Sequence, residues 1–320
     1  MRGLKQDRSA RVVIAGHAFV QNVRREHYEL VAEEPVNQRV VVAFDELALE
    51  SDPAEVLTSA SPVPPQRTTA LCWRVHLPQR ASRTRSQIMT APATADDVVL
   101  DRLRPHIDEI TTPSDRSVGF HPKTWRPWLA SDPTAADLLD ELGGDGHGAS
   151  VDRSYLAELA SQLGTDHADG HVRLFTATMI WGSGTRNGRG PRNTCRALRA
   201  PSLAATLQRS AALVTHEDFA SAYVAARLPG VGPAFFTKWL WAVGLARPRP
   251  PRPLILDSRV WASLARLGWN SRDAAGTSRR ADRYVAYVSA MHRWATQLDA
   301  TLPADRLEHF LYQRRRDEVL

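Results

Sequence analysis

Cysteine is nearly missing from this 320-residue chain, with only Cys72 and Cys195. Two thiols are too few for a disulfide framework, a four-cysteine zinc site or an iron–sulfur cluster, and are read as reduced side chains of a cytoplasmic protein. Long apolar runs are lacking too. No stretch of about 18 apolar residues occurs, so no membrane span is expected. The N-terminal MRGLKQDRSA has no apolar core of a secretory signal. His292 and His309 have no Cys or acidic partners at metal-ligand spacing, so no metal site is expected. There is no repeat of fixed period and no acidic excess. Instead, 41 Lys+Arg face 35 Asp+Glu for a formal charge of +6. Most of the basic residues are arginine, which suits bidentate phosphate contacts. Such a balance permits a nucleic-acid partner without establishing one.

What is present divides the chain in two. Residues 1–88 hold short β-branched runs, Arg11 to Ala15 and Arg39 to Phe44, followed by an irregular Pro/Ser/Thr/Arg stretch from Pro62 to Arg85 that reads as linker. They are expected either to form a loosely attached extension or to lay a small β layer on the remainder. From Met89, small and polar residues lead into an acidic helix start, as at a natural N-terminus, so the main domain is placed at 89–320. From Asp96 onward the apolar spacing is helical, as in Val98, Leu100, Leu103 and Ile107. Helices are expected at Thr134–Leu142, Asp152–Leu163, Asp169–Trp181, Arg192–Leu198, Ser202–Leu213, His216–Arg227, Pro233–Gly244, Ser258–Leu267, Ser278–Leu298 and Ala304–Glu318. Gly143 to Ser150 reads as a loop, and Trp125 and Trp128 lie in a Pro-punctuated segment. Hydrophobic residues at 43% are ample for a core. The expected class is mainly α.

The chain is organised around Leu228 to Trp261. Leu228-Pro229-Gly230-Val231-Gly232 has two glycines at i, i+2, which suit a tight hairpin that needs positive φ or close approach to a partner. A helical run precedes it and another follows, with Pro233 in the first turn, where a missing N–H costs nothing. Hairpin amides beside a helix N-terminus form a site for phosphate. After a Pro/Arg connector, Leu254-Ile255-Leu256 leads to Asp257-Ser258-Arg259-Val260-Trp261.

This stretch resembles the signature of the helix-hairpin-helix DNA glycosylase superfamily, and within it most resembles bacterial glycosylases of the 8-oxoguanine glycosylase fold. The likeness is sharp over 228–261 and extends more weakly over about 96–320. It implies a helix-hairpin-helix glycosylase fold and a hairpin (Gly230, Val231, Gly232, with Arg259) that grips the DNA backbone beside a flipped nucleotide. The implied partner is double-stranded DNA with a modified base, bound by a monomer, and the hairpin could hold a monovalent cation.

Three constellations could carry chemistry. Asp257 is placed by the resemblance at the sugar, where a carboxylate stabilises an oxocarbenium-like transition state as the base leaves. An aspartate just before a helix is also an ordinary N-cap, and the two roles are compatible. Lys238 is the candidate Schiff-base nucleophile of a lyase. The family's usual lysine position is occupied here by Ala234. Lys238 lies four residues on, a rotation of about 400° that brings it within roughly 40° of the Ala234 direction. Phe236-Thr237-Lys238 is similar to a phrase that carries the lysine in some glycosylases of the wider group. The third is the loop Gly184 to Asn193, whose Arg186, Asn187, Arg189, Arg192 and Asn193 offer donors for wedging DNA and holding an orphaned base. An ordinary Arg/Gly surface loop would look the same. Among the aromatic residues that could stack on a flipped base, Trp181, Trp239 and Phe310 are assigned to the pocket together with His292. The implied activity is excision of 8-oxoguanine or a related oxidised purine, with a possible lyase step. The alternatives are removal of a hypermodified pyrimidine from phage DNA and a catalytically inactive DNA-binding module.

Overall fold

A computed structural model describes residues 95–112, 117–143, 149–163, 169–184 and 189–314. The expectation for residues 1–88 lies outside them. The described chain is mainly helical: α1 (Ala95–Leu103), a 3-10 turn, α2 (Ile107–Thr111), α3 (Pro122–Leu129), α4 (Pro133–Gly143), α5 (Arg153–Ser161), α6 (Gly170–Ser183), α7 (Arg189–Leu198), α8 (Leu203–Thr215), α9 (Phe219–Ala225), α10 (Pro233–Gly244), α11 (Ser258–Arg266), α12 (Ser271–Ala275), α13 (Arg280–Leu298) and α14 (Ala304–Gln313). Among the described residues no helix is long and apolar enough to cross a membrane.

Two helices form the centre because their sequences are apolar almost all round, and such helices must be enclosed. In α6, Leu174 to Ile180 are all buried, and in α10 burial covers Phe236, Thr237 and Trp239 to Gly244. The two pack together; α4, α5, α7 and α8 cover α6, while α5, α8 and α9 cover α10. A second layer is built on α13, which packs against α9, α12, α14 and α1. At Gly244 any Cβ would meet Pro253 Cδ at 2.7 Å, so the end of α10 and the Pro/Arg connector lie closer than another residue allows.

Several boundaries differ from the spacing-based expectation. Residues 118–120 and 149–151 form an antiparallel pair, β1 with β2, in the register Val118↔Val151, Gly119↔Ser150 and Phe120↔Ala149. Strands of three residues give no periodic signal, and Ala149 and Ser150 had read as loop. Trp125 and Trp128 sit on α3 despite its prolines, because Pro122 occupies the first turn. The run from His216 shortens to α9: Glu217 at φ 63° breaks from α8, and Asp218 caps the new helix by accepting the Ser221 N–H at 3.0 Å. Helix α12 escaped notice, and residues 315–318 of the last expected helix are outside the described segments.

Candidate active site

The tripeptide Leu254-Ile255-Leu256 is extended and fully enclosed, so its backbone polar groups need partners within the protein. Tyr284 and Tyr287 on α13 donate their hydroxyls to Leu254 O at 2.8 Å and Ile255 O at 2.7 Å. Thr237 on α10 accepts the Leu256 N–H at 3.1 Å. These three ties fix where the chain delivers Asp257. Its Oδ1 then accepts the N–H groups of Arg259 at 3.0 Å and Val260 at 3.1 Å, so the residue caps α11. Asp257 as a whole is only 8% exposed.

The residues on α10 before Thr237 begin at the hairpin. Gly230 has φ 83°, and a Cβ there would meet Asn193 O at 3.1 Å. Val231 donates to Leu228 O at 3.1 Å and closes the turn. Gly232 has φ −81°, and nothing lies within 4 Å of where its Cβ would be. Lys238 follows one turn after Ala234. Its Nζ donates to Ala234 O at 3.1 Å and lies 5.3 Å from the centre of the Phe235 ring. Helical side chains lean toward the N-terminus, and the amine is thereby carried back to the level of Ala234. Gly182, at the end of α6, makes the room: a Cβ there would meet Lys238 Cδ at 2.9 Å and Phe235 Cε1 at 3.2 Å.

Asp257 and Lys238 line one cavity of about 480 Å³ together with Val118, Arg153, Trp181, Gly182, Ile255, Arg259, Glu308, His309, Tyr312 and Gln313. Its wall therefore comes from β1, α5, the end of α6, α10, the start of α11 and α14. Trp181 stacks on Trp241 with 5.3 Å between ring centroids. The Arg153 guanidinium lies 4.8 Å from the Trp241 ring and 5.7 Å from the Trp181 ring. Trp181 Nε1 is buried and meets no hydrogen-bond partner among the described residues. Exposed Arg259 lines the cavity and lies over Tyr312 at 5.0 Å.

Three residues expected at the base pocket stand elsewhere. Trp239 is 1% exposed in the core, gives its indole N–H to Ser210 Oγ at 2.9 Å and meets Phe175 edge-on. It does not line the cavity, because neighbouring helical residues face about 100° apart and Lys238 takes the cavity side. His292 Nε2 lies 3.1 Å from Arg252 N and 2.9 Å from Arg252 O, and burial holds its pKa below the usual imidazole value. It borders a separate cavity of about 280 Å³ beside the connector. Phe310 is enclosed between His106 and the Arg314 guanidinium. On α14 it is the neighbours at 308, 309, 312 and 313 that face the cavity. Of the expected wedge residues, Arg186 and Asn187 lie outside the described residues. Arg189, Arg192 and Asn193 are on α7 rather than in a loop, since a first helical turn accepts Pro191. Arg189 and Arg192 are exposed, and Asn193 backs Gly230.

Sequence reasoning missed Arg153 as a site residue and did not assign Glu308. A helix-capping motif and an amphipathic C-terminal helix gave no reason to bring them together. Burial pushes the Glu308 carboxyl up to about 8. Among the described residues no group of three or more His, Cys, Asp or Glu side chains could hold a metal ion.

The family model described as "Putative 8-oxoguanine DNA glycosylase OGG-like protein" matches residues 111–312, more than half of the chain and all of the cavity wall except Gln313. No curated protein and no solved structure gives a significant match.

Proposed function

The chain belongs to the OGG-like 8-oxoguanine DNA glycosylase family, and from that premise we propose that it binds double-stranded DNA as a monomer and excises a modified base by cleaving the N-glycosidic bond. The observation that carries this reading is the single cavity lined by both Asp257 and Lys238. Its volume of about 480 Å³ falls within the range of small-molecule sites, about 300–1,000 Å³. The hairpin amides and the open side of Gly232 hold backbone phosphate, and the target nucleotide turns out of the stack into the cavity. Asp257 lies against the sugar and stabilises positive charge as the bond to the base breaks. Lys238 is the nucleophile that attacks the sugar carbon and forms a Schiff base, which gives the enzyme a lyase step. No cofactor takes part, and a monovalent cation at the hairpin is compatible with the scheme.

The substrate of this reading is 8-oxoguanine or a related oxidised purine. A second substrate, a hypermodified pyrimidine of phage DNA, is favoured by one feature: Arg153, Glu308, His309 and Gln313 give the wall more polar groups than a closed purine slot needs. Abasic-site formation on duplexes carrying either base tests both. Excision of neither, with DNA binding retained, would leave an inactive binding module.

A further inference from the structure

Glu308 has no task in the scheme above. It is 1% exposed, yet it lines the cavity with Asp257, Lys238 and Trp181. Its bond to Arg153 Nη2 is long, 3.4 Å, and Arg153 Nη1 is equally far from Asp305. The groups that face it are Arg153 from α5, Lys238 from α10, Asp257 at the start of α11, Asp305 on its own helix, and Tyr284 and Tyr287 from α13. His309 and the exposed Arg259 complete the charged lining. Both tyrosine hydroxyls are committed to backbone carbonyls. Of the groups whose charge acts on Glu308, Asp257 and Asp305 balance Arg153 and Lys238, so these charges leave its burial uncompensated. Burial opposes charge most strongly on the most enclosed group. Desolvation raises the Glu308 pKa from 4.5 to about 8, Asp257 and Asp305 add to the rise, and Arg153 and Lys238 oppose it.

We propose that Glu308 is a specificity-determining residue of the cavity, a neutral carboxylic acid that offers an O–H donor beside a C=O acceptor to the edge of the flipped base. The inference rests on the glycosylase reading. A neutral acid pairs with an edge that sets an acceptor beside a donor, whereas a carboxylate offers acceptors alone. Cytosine-type bases present such an edge at N3 and the exocyclic N–H, and oxidised guanine presents one at O6 and N7–H. Intact guanine shows two acceptors, N7 and O6, on that side, and a neutral acid satisfies only one of them. Ionisation of Glu308 removes the donor and leaves a buried acceptor of the base unpaired.

The test compares wild type, Glu308→Gln and Glu308→Leu in single-turnover excision from duplexes carrying 8-oxoguanine or a glucosylated hydroxymethylcytosine, across pH 7 to 9. Glutamine keeps one donor and one acceptor but cannot ionise. The wild-type rate falls about tenfold from pH 7 to pH 9, as for an acid titrating midway. Glu308→Gln is slower than wild type at pH 7 and holds its rate to pH 9. Glu308→Leu loses about a hundredfold throughout, with affinity for unmodified duplex retained. Thermal unfolding establishes that Glu308→Leu is folded; if it is not, the glutamine comparison decides alone. Identical pH profiles for wild type and Glu308→Gln overturn the inference while leaving the glycosylase reading intact, and so does full activity of folded Glu308→Leu. Failure of folded wild type to excise any base overturns the glycosylase reading, and the inference with it.

Discussion

Helix α10 ends and helix α11 begins a few residues from the two ends of the same connector, and their first turns are finished in opposite ways. At α11 the Asp257 side chain accepts two of the N-terminal amides, so the helix carries its own anion. At α10 the cap is Gly232, which has no side chain to accept anything, and Pro233 follows. The first N-terminus is closed by the side chain to which the proposed scheme gives the chemistry, and capping holds that group in one orientation. The second has no side-chain cap: Gly232 O accepts the Phe235 and Phe236 N–H groups at 2.9 and 3.0 Å, and the proposed scheme gives the hairpin before it to a DNA phosphate. The two glycines of the hairpin divide in the same way. Gly230 is required by the fold, through its φ of 83° and the Asn193 carbonyl, whereas nothing in the fold requires Gly232.

The largest effect is expected at the closed terminus. Asn caps helices as well as Asp does, so Asp257→Asn removes charge with little change in stability. Single-turnover excision should fall by about 10³-fold or more, while DNA affinity stays near wild type. Next is Lys238, one of three lysines in the chain with Lys5 and Lys123. Borohydride should trap a covalent protein–DNA adduct, and Lys238→Ala should abolish it. Base loss without an adduct would reduce Lys238 to a positive charge in a monofunctional enzyme.

The hairpin glycines sharpen the comparison further. Gly230→Ala should cost about 1–2 kcal/mol in chemical unfolding, because a side chain is strained at that φ and Asn193 is in the way. Gly232→Ala should leave unfolding within about 0.5 kcal/mol of wild type, because its backbone is ordinary and the space is empty. Its loss should appear in DNA affinity, as the new methyl occupies the phosphate's approach.

Stability against pH should change as well. Glu308 is held protonated in the fold at pH values where an unfolded glutamate is ionised. Its contribution is full below about 4.5 and is lost as pH rises through about 8. The melting temperature of wild type should therefore decline across that window more steeply than that of Glu308→Gln. Parallel curves would place the Glu308 carboxyl at its ordinary pKa.

Legibility in the sequence followed the same division. The bounds of α10 and the position of Asp257 could be read directly, because a hairpin, a proline in the first turn and an acid before a helix are local signals. Lys238 was legible through a rotation of one helical turn, which the amine's return to Ala234 O accounts for. Of the rest of the wall, Trp181 was legible, and the meeting of Arg153 with Glu308 was not. Arg153 and Glu308 are separated by 155 positions and meet only through packing of α5 and α14 beside α10. Trp239 and Phe310 were assigned to the pocket because they are aromatic, but the rotation of each helix decides which ring faces the cavity. The β1–β2 pair escaped because strands so short have no period to read.

The most direct test of the contrast between the two helix starts is a crossed measurement on Asp257→Asn and Gly232→Ala. Single-turnover excision at saturating enzyme and equilibrium affinity for the same duplex are determined for each. The account predicts that Asp257→Asn loses excision and keeps affinity, whereas Gly232→Ala loses affinity and keeps most of its excision rate once saturated. Equal losses of both quantities in either variant would contradict it.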